Sequence, residues 1–485
     1  MRQFLFLGLL FFSSCMVGPN YKPPIVEVPD TWVGETATDV LDEKALKTWW
    51  EVYQDPLLNR YIAKAEECNY DLLVAEANIL RARAIKQISA SQLFPHVSGD
   101  LNGTKTYFSK NGPVFAIGPA ANNAAETSSP LTGLPFAVQV PQIQNLFNAL
   151  FDATWELDLF GKTRRSMEVA EAEVGSAIEQ RRDLLVTLYA EVAKNYMELR
   201  GFQMQKELLE KNVSLLTQID NITKAQFAAG YVSSFDVEQS IANVQAAEAL
   251  VPNVISEIYR SIYTLSVLMG ELPENLVEEL IVLSPLPPVP QTIHVGLRSD
   301  LLRRRPDIRK AERELAAATA SIGVAVASFF PTVSLLGLGG FQSLQLPELL
   351  QWGSRTWAYG ADVSMPVYQG GRLVGNLHLT QAVQKAAAYA YQQVVLNALQ
   401  NAESSLVFYE QGLTTSAKRH AVVDHIGMMV AIGEERFTQG LTNKTTLLYT
   451  EKEWVQAELN AVETDTMLLL ASISLYKALG GGSDL

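Results

Sequence analysis

Cysteine is almost absent: the 485 residues hold two, Cys15 and Cys68. A disulfide-stapled framework and a four-cysteine zinc ribbon are both excluded. Histidine is as scarce, with five residues scattered at 96, 294, 378, 420 and 425, so neither a metal centre nor any other cofactor is expected. Positive charge is in deficit, Lys+Arg 38 against Asp+Glu 52, and the net −14 speaks against a nucleic-acid groove. Glycine (30) and proline (21) are too few and too irregular for a collagenous or low-complexity chain. After residue 15 every apolar run is broken by polar residues within a turn or two, which leaves no candidate transmembrane helix. Catalytic motifs are missing too: there is no His-Glu-x-x-His, no Gly-x-Ser-x-Gly and no P-loop, and Gly337-x-Gly339-Gly340 lies in a strand-like pattern. An enzyme is not expected.

What is present begins at the N-terminus. Arg2 precedes an apolar run from Phe4 to Phe12, too short to span a bilayer and placed like a secretory signal, which assigns residues 1–14 to a signal peptide. The run ends in Phe12-Ser13-Ser14-Cys15, which looks like the lipobox at which bacterial prolipoproteins are acylated, with Phe12 where an aliphatic residue is usual. An ordinary signal peptide that happens to contain a cysteine is the alternative. Acyl chains on Cys15 would contribute about 0.8 kcal/mol per buried methylene, enough for anchoring when several act together. Cys68 would then have no disulfide partner.

The rest of the chain carries one unit twice. Asp71-Leu72, Ala75-Glu76, Ala84 and Phe94-Pro95 are answered 236 positions later by Asp307-Ile308, Ala311-Glu312, Ala320 and Phe330-Pro331. Further on the separation is 210: Gly161-Lys162 answers to Gly371-Arg372, Phe227 and Gly230 to Phe437 and Gly440, Leu265 and Gly270 to Leu475 and Gly480. The first copy therefore carries an insertion in a loop. This spacing divides the mature chain into an N-terminal segment (15–60), a first repeat (61–284), a stiff proline-rich linker (285–298) and a second repeat (299–485).

Within each repeat the hydrophobic period changes. Leu185, Tyr189, Val192, Tyr196 and Leu199 recur at steps of four and three, and their counterparts Val395, Leu399, Ala402, Leu406 and Tyr409 are all apolar, as in a coiled-coil seam. No proline interrupts Gly161 to Gly230, so nearly 70 helical residues would reach about 100 Å and need lateral partners. Gly230 and Gly440 are each followed by small or polar residues before the helical pattern resumes, which marks two hairpin turns. Pro252 falls in the returning helix of the first copy and should bend it.

Just after Pro95 and Pro331 the period is two. Val97 to Thr104, Phe151 to Leu159 and Trp357 to Val367 alternate apolar or glycine with polar or small residues, and Thr332 to Phe341 does so more weakly, with several glycines. The segments, about ten residues each, have the length of a tilted membrane strand, and Tyr107, Phe108, Phe147, Trp352, Trp357 and Tyr359 sit near their ends, where an interfacial girdle belongs. A half-buried soluble sheet shows the same alternation. Four strands cannot close in lipid, whereas three chains would supply twelve.

Several stretches resemble the outer-membrane efflux channels of the TolC type, in the lipid-anchored OprM/NodT branch. They are Cys15-x3-Pro19-x-Tyr21-x2-Pro24, Trp49-Trp50 with Asp55-Pro56-Leu57, Trp155-Glu-Leu-Asp-Leu-Phe-Gly161, Asp300-Leu-Leu-Arg-Arg-Arg-Pro-Asp-Ile308 and Arg436-Phe437-x2-Gly440. The resemblance implies long antiparallel coiled-coil helices forming a periplasmic tunnel, topped by a 12-stranded β-barrel of four strands per chain in a homotrimer. It also implies a passive conduit for small molecules, a periplasmic adaptor and an inner-membrane pump as partners, and a place in outer-membrane lipid. In that family the tips of the helical hairpins narrow to an aperture, commonly acidic. Asp236 occupies the matching position of the first hairpin, while the second carries Thr446 and Tyr449 where acids are common, so an acidic ring is in question. Asp236 reads equally well as a helix cap. The competing function is a lipid-anchored helical scaffold or adhesin without a pore.

Overall fold

A carboxylate followed by proline opens the first long helix. The computed structural model describes residues 16–24, 32, 46–109 and 141–482. Asp55 accepts hydrogen bonds from the backbone N–H groups of Leu57 (2.9 Å) and Leu58 (3.3 Å) at the head of α1 (Pro56–Cys68). Pro56 at the first helical position forgoes only an N–H that has no intrahelical partner. There follow α2 (Tyr70–Ser91), β1 (His96–Tyr107), β2 (Ile143–Leu157), α3 (Lys162–Ala228), α4 (Ser234–Glu248) and α5 (Val251–Leu268). After an irregular stretch the order recurs as α6 (Pro306–Ala327), β3 (Thr332–Ser343), β4 (Arg355–Ser364), α7 (Arg372–Thr438) and α8 (Lys444–Ala478). Helices α2 and α6 are each 22 residues and begin 236 positions apart, while α3 and α7 are each 67 residues and begin 210 apart. At 1.5 Å per residue the latter pair are about 100 Å long.

Three sequence expectations shift. β2 begins at Ile143, eight residues ahead of the alternation first visible at Phe151, and stops at Leu157 rather than Leu159. β4 stops at Ser364, short of Val367, because Pro366 has no N–H to give the ladder. Pro252 divides the returning helix: α4 ends at Glu248, α5 starts at Val251, and the carbonyl of Glu248 has lost the donor four residues on. Leu250 N–H turns instead to Ala247 O at 3.2 Å.

Packing divides the described chain into two units that cut across the repeats. One takes residues 16–20, 85–109, 141–170 and 319–382, and so holds the strands; the other takes 21–24, 32, 46–84, 171–318 and 383–482. In the second unit the expected seam of α3 is core, with Leu185, Tyr189, Val192, Tyr196 and Leu199 all buried against Tyr53, Leu58, Tyr61 and Ile62, Ile262 and Leu265 of α5, and Leu469 and Ile473 of α8. Trp49 stacks on Tyr476 (5.1 Å) and Trp50 lies 4.7 Å from Tyr189, which explains the paired tryptophans. The proline-rich stretch is more than a spacer: Leu286 and Val289 pack on this core and Tyr409 donates to Pro290 O. Nearer the hairpin ends Leu208, Leu215, Leu216 and Ile219 of α3 meet Val244 of α4 and Leu448 and Val455 of α8.

Candidate functional site

In the strand-bearing unit the register decides which side chains share a face. The sheet order is β1-β2-β3-β4, all antiparallel, and directly paired residues lie on one side. Val97, Leu101, Phe147, Phe151, Trp155, Val333, Leu335, Trp357, Tyr359 and Val363 fall together on one face. The other carries Ser98, Asp100, Asn102, Asn148, Asp152, Glu156, Gln342 and Asp362, interrupted by Leu146, Leu150, Leu336 and Leu338. Asn148 donates to Asn102 at 2.9 Å and accepts from Gln342 at 2.8 Å, a polar ladder over three strands.

Glycine on the apolar face has a packing reason. A Cβ on Gly99 would lie 3.1 Å from the Phe151 ring, and one on Gly103 3.0 Å from that of Phe147, so β1 yields room to the aromatics of β2. Across the ladder Trp357 and Tyr359 face Gly339 and Gly337, stacked on each other at 5.8 Å. The β3 glycines lie beside a bulky β4 but yield it no room: a Cβ on Gly339 would meet nothing within 4 Å, and one on Gly337 only Ala153. This face is open in the single chain, with Leu101 81% and Tyr359 83% exposed. Among the described residues β1 and β4 each have an unpaired edge. An exposed apolar face with open edges is stable in neither water nor lipid until both are covered. No described helix is long and apolar enough to cross a membrane.

At the end of the sheet where β2 runs into α3, the residues just after position 15 are pinned. Asp158 accepts from the N–H groups of Thr163 (3.1 Å) and Arg164 (3.0 Å) and heads α3. Gly161 turns with φ +80°, and a Cβ there would lie 2.7 Å from Met16. Arg165, a residue the sequence reading passed over, is buried and donates to Val17 O (3.1 Å), Gly18 O (3.2 Å) and the Asn20 side chain (2.8 Å). Gly18, φ +91°, sits so close to Gly323 that its Cβ would fall 2.5 Å from that Cα. Cys15 itself lies outside the described residues, as does the signal segment.

The hairpin turns are built alike. Gly230 and Gly440 take φ +79° and +73°, and each closes its helix in the same way: Gly230 N–H to Phe227 O and Tyr231 N–H to Gln226 O, Gly440 N–H to Phe437 O and Leu441 N–H to Arg436 O. This double closure satisfies the last carbonyls of a helix and requires a left-handed residue, hence glycine. The returning helices start differently. Asp236 accepts from Ser233 N–H (2.8 Å) and Ser233 Oγ (2.7 Å), and these bonds hold its carboxyl below the usual aspartate range. At the second tip Asn443 accepts from Thr446 N–H at 2.8 Å. Asp236 is thus a cap, Thr446 is capped, and Tyr449 is exposed; no hydrogen bond or ion pair joins the three. Tyr231 and Phe235 stand exposed at the first tip, Leu441 at the second.

Arg305, in the Arg303 to Arg305 run, is structural: it grips Asp307 with two donors (3.1 and 2.7 Å) and caps the last carbonyl of α8 at Ala478 (2.8 Å). One cluster has the residue types of a hydrolase triad. Ser416 Oγ (2.6 Å) and His420 Nε2 (2.8 Å) both engage Asp465, so the serine is bonded to the acid and not activated by the imidazole. Among the described residues no group of His, Cys, Asp and Glu side chains is placed to hold a metal.

Residues 61–271 and 297–481 match the family model described as outer membrane efflux protein. The solvent efflux pump outer membrane protein SrpC of Pseudomonas putida is 27% identical over 488 residues, spanning 98% of this chain and 97% of that one. Nodulation protein T of Rhizobium leguminosarum bv. viciae is 27% identical over 477 residues, 98% and 92% of the two chains. Among solved structures the outer-membrane channel OprN is similar with a TM-score of 0.82 and 28% identity, over 96% of this chain and 99% of that one. The open state of the Neisseria gonorrhoeae MtrE outer membrane channel gives 0.75 and 25%, over 97% and 99%.

Proposed function

The chain belongs to the outer membrane efflux protein family, and on that premise we propose that three copies close into one channel-tunnel. The protein is an outer-membrane component of efflux. Each copy contributes four strands to a 12-stranded barrel, and the long helices of residues 61–284 and 299–485 line up as a periplasmic tunnel. The observation that carries this reading is the sheet, with one apolar face, one polar face and two open edges. Joining β4 of one copy to β1 of the next removes the edges, and the apolar face then meets lipid with its aromatics at both rims. Helix α7 points the same way: Leu379, Val383, Tyr389, Leu396 and Val407 are exposed along it in the single chain, a flank that awaits a neighbour.

The anchor is an acylated Cys15. Its successors Met16 to Asn20 are held at the end of the sheet, where acyl chains reach the inner leaflet of the same membrane. The tips at Gly230 and Gly440 form the periplasmic aperture, with Asp236, Thr446 and Tyr449 around it, and a periplasmic adaptor joins it there to an inner-membrane pump. No chemistry is performed; the channel is a passive conduit.

Dye accumulation in cells with and without the gene, beside a Cys15→Ser strain, tests the function. Raised accumulation in the deletion is the expected result. The purified Cys15→Ser protein should still need detergent and run as a trimer; a detergent-free monomer would instead favour the scaffold. Conductance of an Asp236→Ala, Tyr449→Ala double variant in planar bilayers tests the aperture, which predicts a wider opening.

A further inference from the structure

One cavity of about 720 Å³ belongs to none of the features above. It lies wholly in the helical unit, between α3 (Asp183, Val186), the head of α6, the middle of α7 and the second half of α8. That volume falls within the range of small-molecule sites, and its mixed lining of apolar walls with a few polar groups is typical of them. Asn401, Ser404, Phe408, Gln411 and Thr415 present a stripe at steps of three and four along α7. Glu403 lies about 120° round the helix from the middle of that stripe and meets Arg298 at 3.5 Å. The linker and the cavity therefore lie on different flanks of α7. On the reading proposed above, on which this inference rests, three copies enclose a tunnel, and with the linker flank outside the cavity opens inward.

Its chemistry is uneven. Phe408 (73% exposed) and Met467 (60%) stand at its mouth with Leu468 behind them, a soft apolar wall. At the α3 side stand Asp183, Arg305, Asp307 and Lys477. Arg305 and Asp307 satisfy each other, and Arg305 also caps Ala478. Lys477 is exposed in the last turn of α8, where water and the helix dipole suit a cation. Among the described residues Asp183 is half-buried with no hydrogen bond or ion pair within 4.0 Å, and the cations Arg305, Lys477 and Lys310 act on it only from further off. A half-buried carboxylate without a direct partner costs free energy that a cation in contact with it offsets.

We propose that this cavity binds amphipathic organic amines in transit, with Asp183 as counter-charge to the ammonium and Phe408 and Met467 against the apolar body. Burial, followed by the like charge of Asp307, pushes the Asp183 carboxyl above its usual range, with Arg305, Lys477 and Lys310 opposing. An ammonium seated there favours the ionised acid.

The test uses the full-length trimer in detergent, with proflavine as cationic probe and acridine, neutral at neutral pH, as its uncharged counterpart. Saturable binding of proflavine is expected, weakened about tenfold or more by Asp183→Asn. Acridine binding should be indifferent to that change. Phe408→Ala should weaken both probes, and Met467→Trp, filling the cavity from α8, should exclude both. The inference is overturned if the wild-type trimer binds proflavine without saturation, as it would if a neighbouring copy filled the cavity, or if Asp183→Asn binds it as tightly as wild type. Bilayer conductance of the same preparations separates the two levels: a conducting trimer that ignores proflavine sinks the site alone, whereas one that never conducts sinks the channel.

Discussion

The two helical hairpins have the same outgoing length and the same glycine turn, but they differ in how they return and in what they leave bare. The first returns as α4 and α5, broken before Pro252; the second returns as the single 35-residue α8, with Val462 at the matching position. The first is capped by a carboxylate, Asp236, and the second by the amide of Asn443. Both seams are buried within the chain, that of α7 at Val395, Ala402, Leu406 and Tyr409, but α7 also leaves a row of large apolar residues exposed on another flank. A duplicated unit has thus kept its length and turn chemistry, which fix the geometry of a hairpin, and diverged where each copy meets different neighbours.

The sharpest way to break the comparison is to give the second hairpin the first one's proline. Val462→Pro should cost about 3 kcal/mol or more, because α8 is continuous there and packs on the core on both sides. The reciprocal Pro252→Ala should be nearly neutral and add a protected amide at position 252, bonded to Glu248 O. Denaturant unfolding in detergent with hydrogen exchange reads both. Next come the turns. Neither Gly230 nor Gly440 has anything within 4 Å of a built Cβ, so Gly→Val should cost about 1 to 2 kcal/mol at either tip for backbone reasons alone. Unequal costs, measured by unfolding or by protease nicking at the tips, would show that the turns are not equivalent. Smaller still for the single chain is Leu396→Ala on the bare flank of α7, which should change its stability by within about 0.5 kcal/mol yet lower the trimer fraction on size exclusion. A buried counterpart such as Leu199→Ala should instead lose about 2 to 5 kcal/mol within the chain.

The smallest effect is a pH asymmetry. Asp236 has a lowered carboxyl pKa in the folded tip, so its contribution is fully present above the ordinary aspartate value and is lost as pH falls through the lower folded one. The Asn443 cap does not titrate. Relative to the intrinsic exchange rate at each pH, protection at the first tip should therefore fall in acid while that at the second is unchanged, and Asp236→Asn should abolish the difference.

Much of the first-order plan was legible. The seam at Leu185, Tyr189, Val192, Tyr196 and Leu199 announced α3 because a helix must bury one stripe, and that stripe recurs in any chain that forms it. The Asp55-Pro56 start and the two turn glycines were legible because caps and left-handed turns depend on one or two residues. β3 read weakly because Gly337, Gly339 and Gly340 break its alternation, and their pairing with Tyr359, Trp357 and Leu150 is visible only once the register is known. Arg165 was missed because, Glu168 apart, its partners Val17, Gly18 and Asn20 lie some 145 to 148 positions away. Asp236 read as either aperture or cap, and it makes capping bonds to Ser233, which a place at the aperture also allows.

The sequence by itself determined the periods, the breaks and the repeat, and with them the two long hairpins and the alternating strands, since these rest on neighbours three, four or two residues apart. The tertiary structure alone decided which residues share the apolar face of the sheet, which arginine pins the segment after Cys15, which flank of α7 stays bare and where a half-buried aspartate meets a cavity. Each of those is set by contacts between residues tens to hundreds of positions apart, which no local pattern encodes.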